Sequence, residues 1–435
     1  MGLGATGSDL TDWPDLLKSS RNGKLELLGV DGASLKSLTD SCESLVGDIL
    51  GLIKAIDDLN WYEFLNWTYA GSVRTTTLDS MNMLFKKFHD KLTVELVQVL
   101  RNHQAIVTDM ANTFVAANKS YRITDLENEA LFQTPAPHDL HNPVFDVSRP
   151  ISGGDWKDGP PAPHGVSGVN FDARAKNTIA GAVENGSSFA LRDFANIAAL
   201  FDQNDGKIWE TAGYVHAMAQ VWNRSIDTFE SKISPVFTNQ HWRGTGADHA
   251  VTFLSRYLSA ATDLQKALAA MADVIGDTGD FGLFTWSHIP HYSQFEYKDD
   301  NSAGEIEKVH DEREDNWNDA AKALTWAQDW WNHGDSTSNN KGYHDGLTQL
   351  AAMIPLFTDP NTTASAHTPT GNNTNQNNEN GNGNSNNGGS NSNGNGGSNG
   401  NSGGTGDGNG KGSGNGNGKG NGGSTGSTSP TGGPN

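Results

Sequence analysis

The sequence predicts an all-α protein: an elongated four-helix bundle of two helical hairpins, with additional short helices and a disordered C-terminal tail. Three observations carry this reading. Apolar residues recur at spacings of three and four over long stretches, the period that buries one face of a helix. No glycine or proline occurs between Gly71 and Pro135, so no local breaker interrupts a helix there. From about Thr368 to Asn435 the chain is rich in Asn, Gly and Ser, too poor in apolar surface to offset the entropy of ordering.

Residues 1–34 hold the turn formers Trp13-Pro14, Asn22-Gly23 and Asp31-Gly32 with little periodicity, and read as an irregular N-terminal segment. Leu35, Leu38, Cys42, Leu45, Ile49, Leu52 and Ile56 then alternate at spacings of three and four, a seam of the coiled-coil kind. Ser34 or Ser37 is placed to cap it, and it should end near Asn60. The aromatics from Trp61 to Tyr69 form a turn, with Gly71 as a breaker. A second seam runs from Leu84 through Phe88, Leu92, Leu96, Val99, His103, Ile106, Met110, Phe114 and Ala117 to Tyr121. One helix from about Val73 to Phe132 would be roughly 80–90 Å long, and its stripe needs partners along that length.

Residues 133–170 contain seven prolines and several glycines and read as a linker or wrapping segment. The helical domain 171–360 follows. Its first long apolar face runs from Leu191 past Gly206 to Phe237, with Pro235 kinking or ending it. The turn His241-Trp242-Arg243-Gly244-Thr245-Gly246 leads into another, Ala247 to Ile275, which should stop near Gly276 to Gly279. Phe281 to Tyr297 reads as a loop. A shorter helix is expected from about Ala303 to Asn332 and another from Tyr343 to Phe357. Residues 361–435 form the tail. Deleting 368–435 should leave the melting temperature nearly unchanged; a large fall in a thermal melt would mean that the tail packs on the core.

The chain has 30 basic and 51 acidic residues, a net charge of −21. That argues against nucleic acid, whose binders present basic faces, and disfavours purely electrostatic docking on anionic lipid. The single cysteine, Cys42, excludes an intrachain disulfide and Cys-rich zinc modules, and its place on a seam makes it a small core residue. No basic stretch followed by an apolar run marks a Sec-type signal near Met1, and no apolar run reaches the ~18 residues of a membrane span. Met1-Gly2 with Thr6 fits a loose myristoylation pattern, short enough to arise by chance.

No catalytic set stands out: G-x-S-x-G occurs only by composition within the Asn/Gly/Ser-rich tail, as at Gly396–Gly400, where no strand-to-helix turn frames it, and there is no H-E-x-x-H or P-loop. No cofactor is implied. His103 reads as a core histidine before a metal ligand. His138 and His141 have ligand spacing but lack partners in the pattern. Asp202 to Gly206 resembles a calcium loop with its glycine misplaced and no closing Glu. Trp209, Trp222, Trp317, Trp326, Trp330 and Trp331 read as core or interface anchors.

Two short patterns remain. Trp242-Arg243-Gly244 is a W-x-G turn between long helices, where Trp242 can cover the open end of a helix pair and Gly244 permits a sharp reversal. Tyr121 and Asp125, four apart, share one face of a helix end. Separately, a plain hairpin turn and an ordinary surface pair account for them. If the two hairpins pack as a bundle, the end of the first lies beside the turn of the second.

Together with the domain order, these patterns resemble EspB-like substrates of actinobacterial type VII secretion. In that family PE-like and PPE-like hairpins are fused and followed by a low-complexity tail. Residues 35–132 take the PE-like place and 171–360 the PPE-like place. The long segment before Leu35 and the proline-rich linker depart from the family pattern. The resemblance implies a secretion signal made of Tyr121, Asp125, Trp242 and Gly244. It also implies export without a cleaved Sec peptide to the cell surface or medium, and a non-enzymatic, virulence-associated role. The implied partners are further copies of the chain in a heptamer-like ring, the type VII secretion ATPase and chaperone, and membrane lipid. Two other functions stay open: a secreted toxin with a helical export domain, and a cytoplasmic helical scaffold.

Overall fold

A computed structural model describes residues 12–21, 32–59, 66–70, 75–121, 132–140, 168–239, 242–292, 295–297, 306–309, 320–335 and 341–365. These fall in one compact unit, Met1–Thr370. The described residues are mostly helical, as the apolar spacing predicts, with little strand.

Helix α1 (Trp13–Arg21) corrects the irregular reading of residues 1–34. Trp13-Pro14 looks like a turn in sequence. Here Pro14 sits in the first helical turn, where a missing N–H costs nothing, and the Asp12 carboxylate accepts from the Asp15 N–H at 3.1 Å. Trp13, Leu16, Leu17 and Ser20 form the buried face. Helix α2 (Gly32–Asp58) carries the first seam, buried from Leu35 to Ile56.

The single helix expected from Val73 to Phe132 begins later. Thr75–Thr77, three β-branched residues, form strand β2, paired antiparallel with β1 (Thr68–Ala70). The Thr-rich run suits a pleated surface better than a helix. Helix α3 (Asp79–Asp90) then passes through a π-helical segment, Lys91–Leu96, into α4 (Val97–Tyr121). Residues 122–131 lie outside the described residues, and Phe132 belongs to the extended stretch 132–140. The π segment buries Lys91, whose ammonium meets Glu95 at 2.7 Å and Asp172 at 3.2 Å. Asp172 in turn caps α5 (Ala173–Ala180), so this ion pair ties the two halves of the chain.

Helices α6 (Leu191–Thr238) and α7 (Thr245–His288) form a long antiparallel pair. The Trp222 indole N–H donates to the Ala261 carbonyl at 2.8 Å. Pro235 lies inside the last turns of α6 without ending it. The expected stop near Gly276 to Gly279 does not occur, and α7 runs on through Phe281 to His288, where a loop was expected. Close packing explains Gly279, whose added Cβ would lie 3.0 Å from Trp209, and also Gly282 further on, whose Cβ would lie 2.9 Å from Phe201.

The helix expected from Ala303 is also corrected. Ile306–Val309 is strand β4, paired with β3 (Phe295–Tyr297); the short Ile-Glu-Lys-Val alternation has a strand's period of two. Helix α8 spans Ala320–His333, and residues 310–319 lie outside the described residues. Helices α9 (Tyr343–Ala352) and α10 (Pro360–Ser365) follow. One contiguous apolar core draws on α1 to α9, with α2 against α4 and α6, and α1 against α4 and α7.

The extended stretch 132–140 lies across α2. The His138 N–H donates to the Gly47 carbonyl at 2.9 Å, and its ring pairs with Asp48 at 2.8 Å. Gly47 and Gly51 make room for it: a Cβ on Gly51 would stand 2.6 Å from the His138 carbonyl oxygen. Alanine favours the helix by about 1 kcal/mol over glycine, yet Gly51→Ala should lift the segment. Limited proteolysis should then cut 132–140 faster than in the parent chain.

Candidate functional site

The W-x-G turn sits where the sequence places it, between α6 and α7. Gly244 has φ +102°, a region that a side chain disfavours. Its carbonyl accepts the Ala247 and Asp248 N–H groups at 2.9 and 3.2 Å, starting α7. The glycine thus makes both the reversal and the first helical bonds.

Trp242 turns inward and is only 2% exposed. Its ring meets Phe237 of α6 at 5.6 Å and Phe114 of α4 edge-on at 5.9 Å. Phe114 also receives the edge of Trp13 from α1 at 5.7 Å, and Trp13 meets Phe253 of α7 at 5.9 Å. Rings from α1, α4, α6 and α7 therefore converge around the turn. Such edge-on pairs contribute about 0.5–1.5 kcal/mol each beyond area burial.

Helix α4 ends at Tyr121, seven residues after Phe114, which is about 10 Å further along the axis. The contact with the W-x-G turn is thus made at Phe114, about two turns before Tyr121. Backbone position is what the described residues give for Tyr121. Asp125 lies outside them. Trp242 is packed against α4 through Phe114, which Trp13 backs from α1, and sequence reasoning missed both Phe114 and Trp13 as parts of this cluster. Phe114 was legible as a seam position without an assigned neighbour; Trp13 was masked by the proline after it.

His103 is fully buried, meeting Trp222 edge-on at 5.0 Å and Tyr257 at 5.4 Å. Neither ring nitrogen has a hydrogen-bond partner, and burial lowers its pKa to about 3, against a smaller opposing pull from Asp359. Burial also pushes the Cys42 thiol up, leaving it an inert core group. His138 is committed to Asp48 and α2, His141 lies outside the described residues, and Asp202 to Gly206 are inside α6. Among the described residues no group of three His, Cys, Asp or Glu could hold a metal. No described helix is long and apolar enough to cross a membrane. Trp222, Trp330 and Trp331 are buried anchors, Trp209 and Trp326 pack partly buried against the core, and Trp317 lies outside the described residues.

The arrangement defines a helical protein whose most distinctive feature is a turn closed by converging aromatic rings. No protein-family model matches the chain, and no curated protein or solved structure matches it either.

Proposed function

We propose that this protein is a substrate of a type VII secretion system, exported as a folded helical unit and acting as a non-enzymatic structural protein at or outside the cell envelope. The observation that supports the reading is the Phe114–Trp242 contact, which packs α4, about two turns before Tyr121, against the W-x-G turn. A recognition surface composed of Tyr121, Asp125 and that turn then spans both hairpins and exists only when they are packed together. On this reading α2, α4, α6 and α7 are the four helices of an elongated bundle, two from a PE-like half and two from a PPE-like half. The secretion ATPase and a chaperone read the composite end.

The mature protein assembles into rings of further copies, with membrane lipid as a contact. The long helices support this by offering extended lateral faces. Two measurements test the function. Export should cease when the host's type VII ATPase is disabled; continued export sinks the assignment. Light scattering with negative-stain imaging, at neutral and mildly acidic pH, should show particles of several copies. A strict monomer at every pH and concentration removes the ring.

A further inference from the structure

A cavity of about 110 Å³ opens between α1, α4, α7 and the start of α10. Its walls include three aromatic residues from two helices, Trp13, Phe253 and Tyr257. Two carboxyl side chains, Asp12 and Asp109, line it as well, with Arg256 as the one cationic lining residue. Asp12 is occupied as the cap of α1. Asp109 is different: it is partly buried, and among the described residues its carboxylate accepts no hydrogen bond. Burial first, and then the Asp12 charge, hold its pKa up, while Arg21 pulls it down. A half-buried carboxylate without a donor, in a lining that also carries three aromatic residues, offers the charge and the surface that a small cation takes.

Phe253 already shows the preference. The Arg256 guanidinium carbon stands 5.8 Å from its ring centroid, within cation–π range. An engineered apolar cavity of about 150 Å³ holds benzene, so this smaller space suits a guest of roughly five heavy atoms.

We infer that this cavity binds a small organic cation of the methylated-ammonium class, with its methyl groups against Trp13, Phe253 and Tyr257 and its charge neutralised by Asp109. Arg256 opposes the guest electrostatically, so its loss strengthens binding. The cavity shares Trp13 and Phe253 with the ring cluster behind the W-x-G turn but uses none of Tyr121, Asp125, Trp242 or Gly244, so its failure leaves the secretion reading untouched.

The test uses the full chain, tetramethylammonium as probe and tert-butanol as its neutral counterpart of similar bulk, followed by saturation-transfer NMR and calorimetry. Tetramethylammonium should bind with a Kd on the order of 1 mM, equivalent to about −4 kcal/mol, and tert-butanol at least tenfold more weakly. Asp109→Asn should weaken tetramethylammonium at least tenfold, and Arg256→Gln should tighten it. Binding by the unmodified chain should also fall as pH drops through the Asp109 titration, a readout that needs no variant. Equal binding of the two probes, no saturable binding of either, or affinity indifferent to both pH and Asp109→Asn overturns the proposal.

Discussion

Trp242→Ala is expected to lower stability by about 3–5 kcal/mol and the melting temperature by on the order of 10 °C, measured by thermal melting and urea titration. The ring is almost fully buried and bridges Phe237 and Phe114. Its removal leaves a cavity at the point where α4 meets the α6–α7 turn. The indole N–H has no partner, so Trp242→Phe loses no hydrogen bond and should stay within about 1.5 kcal/mol of the parent. If Trp242→Ala melts like the parent, the ring is not holding the turn. A consequence follows for export. Loss of secretion in Trp242→Ala would report a loosened bundle end as much as a lost recognition residue, so this tryptophan cannot by itself mark a signal.

The second large effect concerns pH. Asp277 on α7 is fully buried with neither carboxylate oxygen partnered. Burial, then Asp273 and Asp280, raise its pKa to about 7. The folded chain therefore holds a proton that the unfolded chain releases above its ordinary pKa near 4. Its contribution is full below that value and is lost as pH rises toward 7. His103 has the opposite sign. Its folded pKa is near 3, so the unfolded chain takes up a proton below about 6.5 and stability is lost as pH falls from there toward 3. Between about pH 4 and 6.5 the two slopes cancel, each worth about 1.4 kcal/mol per pH unit. Asp277→Asn should therefore tilt the stability profile so that it rises with pH relative to the parent, and His103→Leu should tilt it the other way. Urea denaturation across that range measures both. Parallel profiles for parent and variants would mean that neither group changes protonation on folding.

Helix content was legible because the long seams are periodic and uninterrupted; every seam position from Leu35 to Ile56 is buried, with further neighbours such as Val46 and Ile53 widening the face. What misled was local punctuation. Gly276 and Gly279 read as a stop, yet they lie inside α7, Gly279 where α6 packs closely. Pro14 read as a turn, yet it belongs to a helix start. In both cases a residue's meaning depends on what lies against it in space, which periodicity does not encode. The turn itself was legible, because Gly244 needs its left-handed backbone wherever the helices go. Its neighbour was not. Phe114 lies 128 positions before Trp242, and only packing between the two hairpins brings the rings together. Buried polar groups such as Asp277 were illegible for the same reason, since a carboxylate among helical acids looks like a solvated face.

The measurement that bears most directly on the proposed function is the ratio of secreted to cellular protein for Tyr121→Ala and Asp125→Ala in a host with an active type VII system, with melting temperatures taken alongside. The account predicts export reduced to background for both, with melting unchanged. Normal export of both variants would contradict it, because a composite signal cannot survive the loss of its polar half.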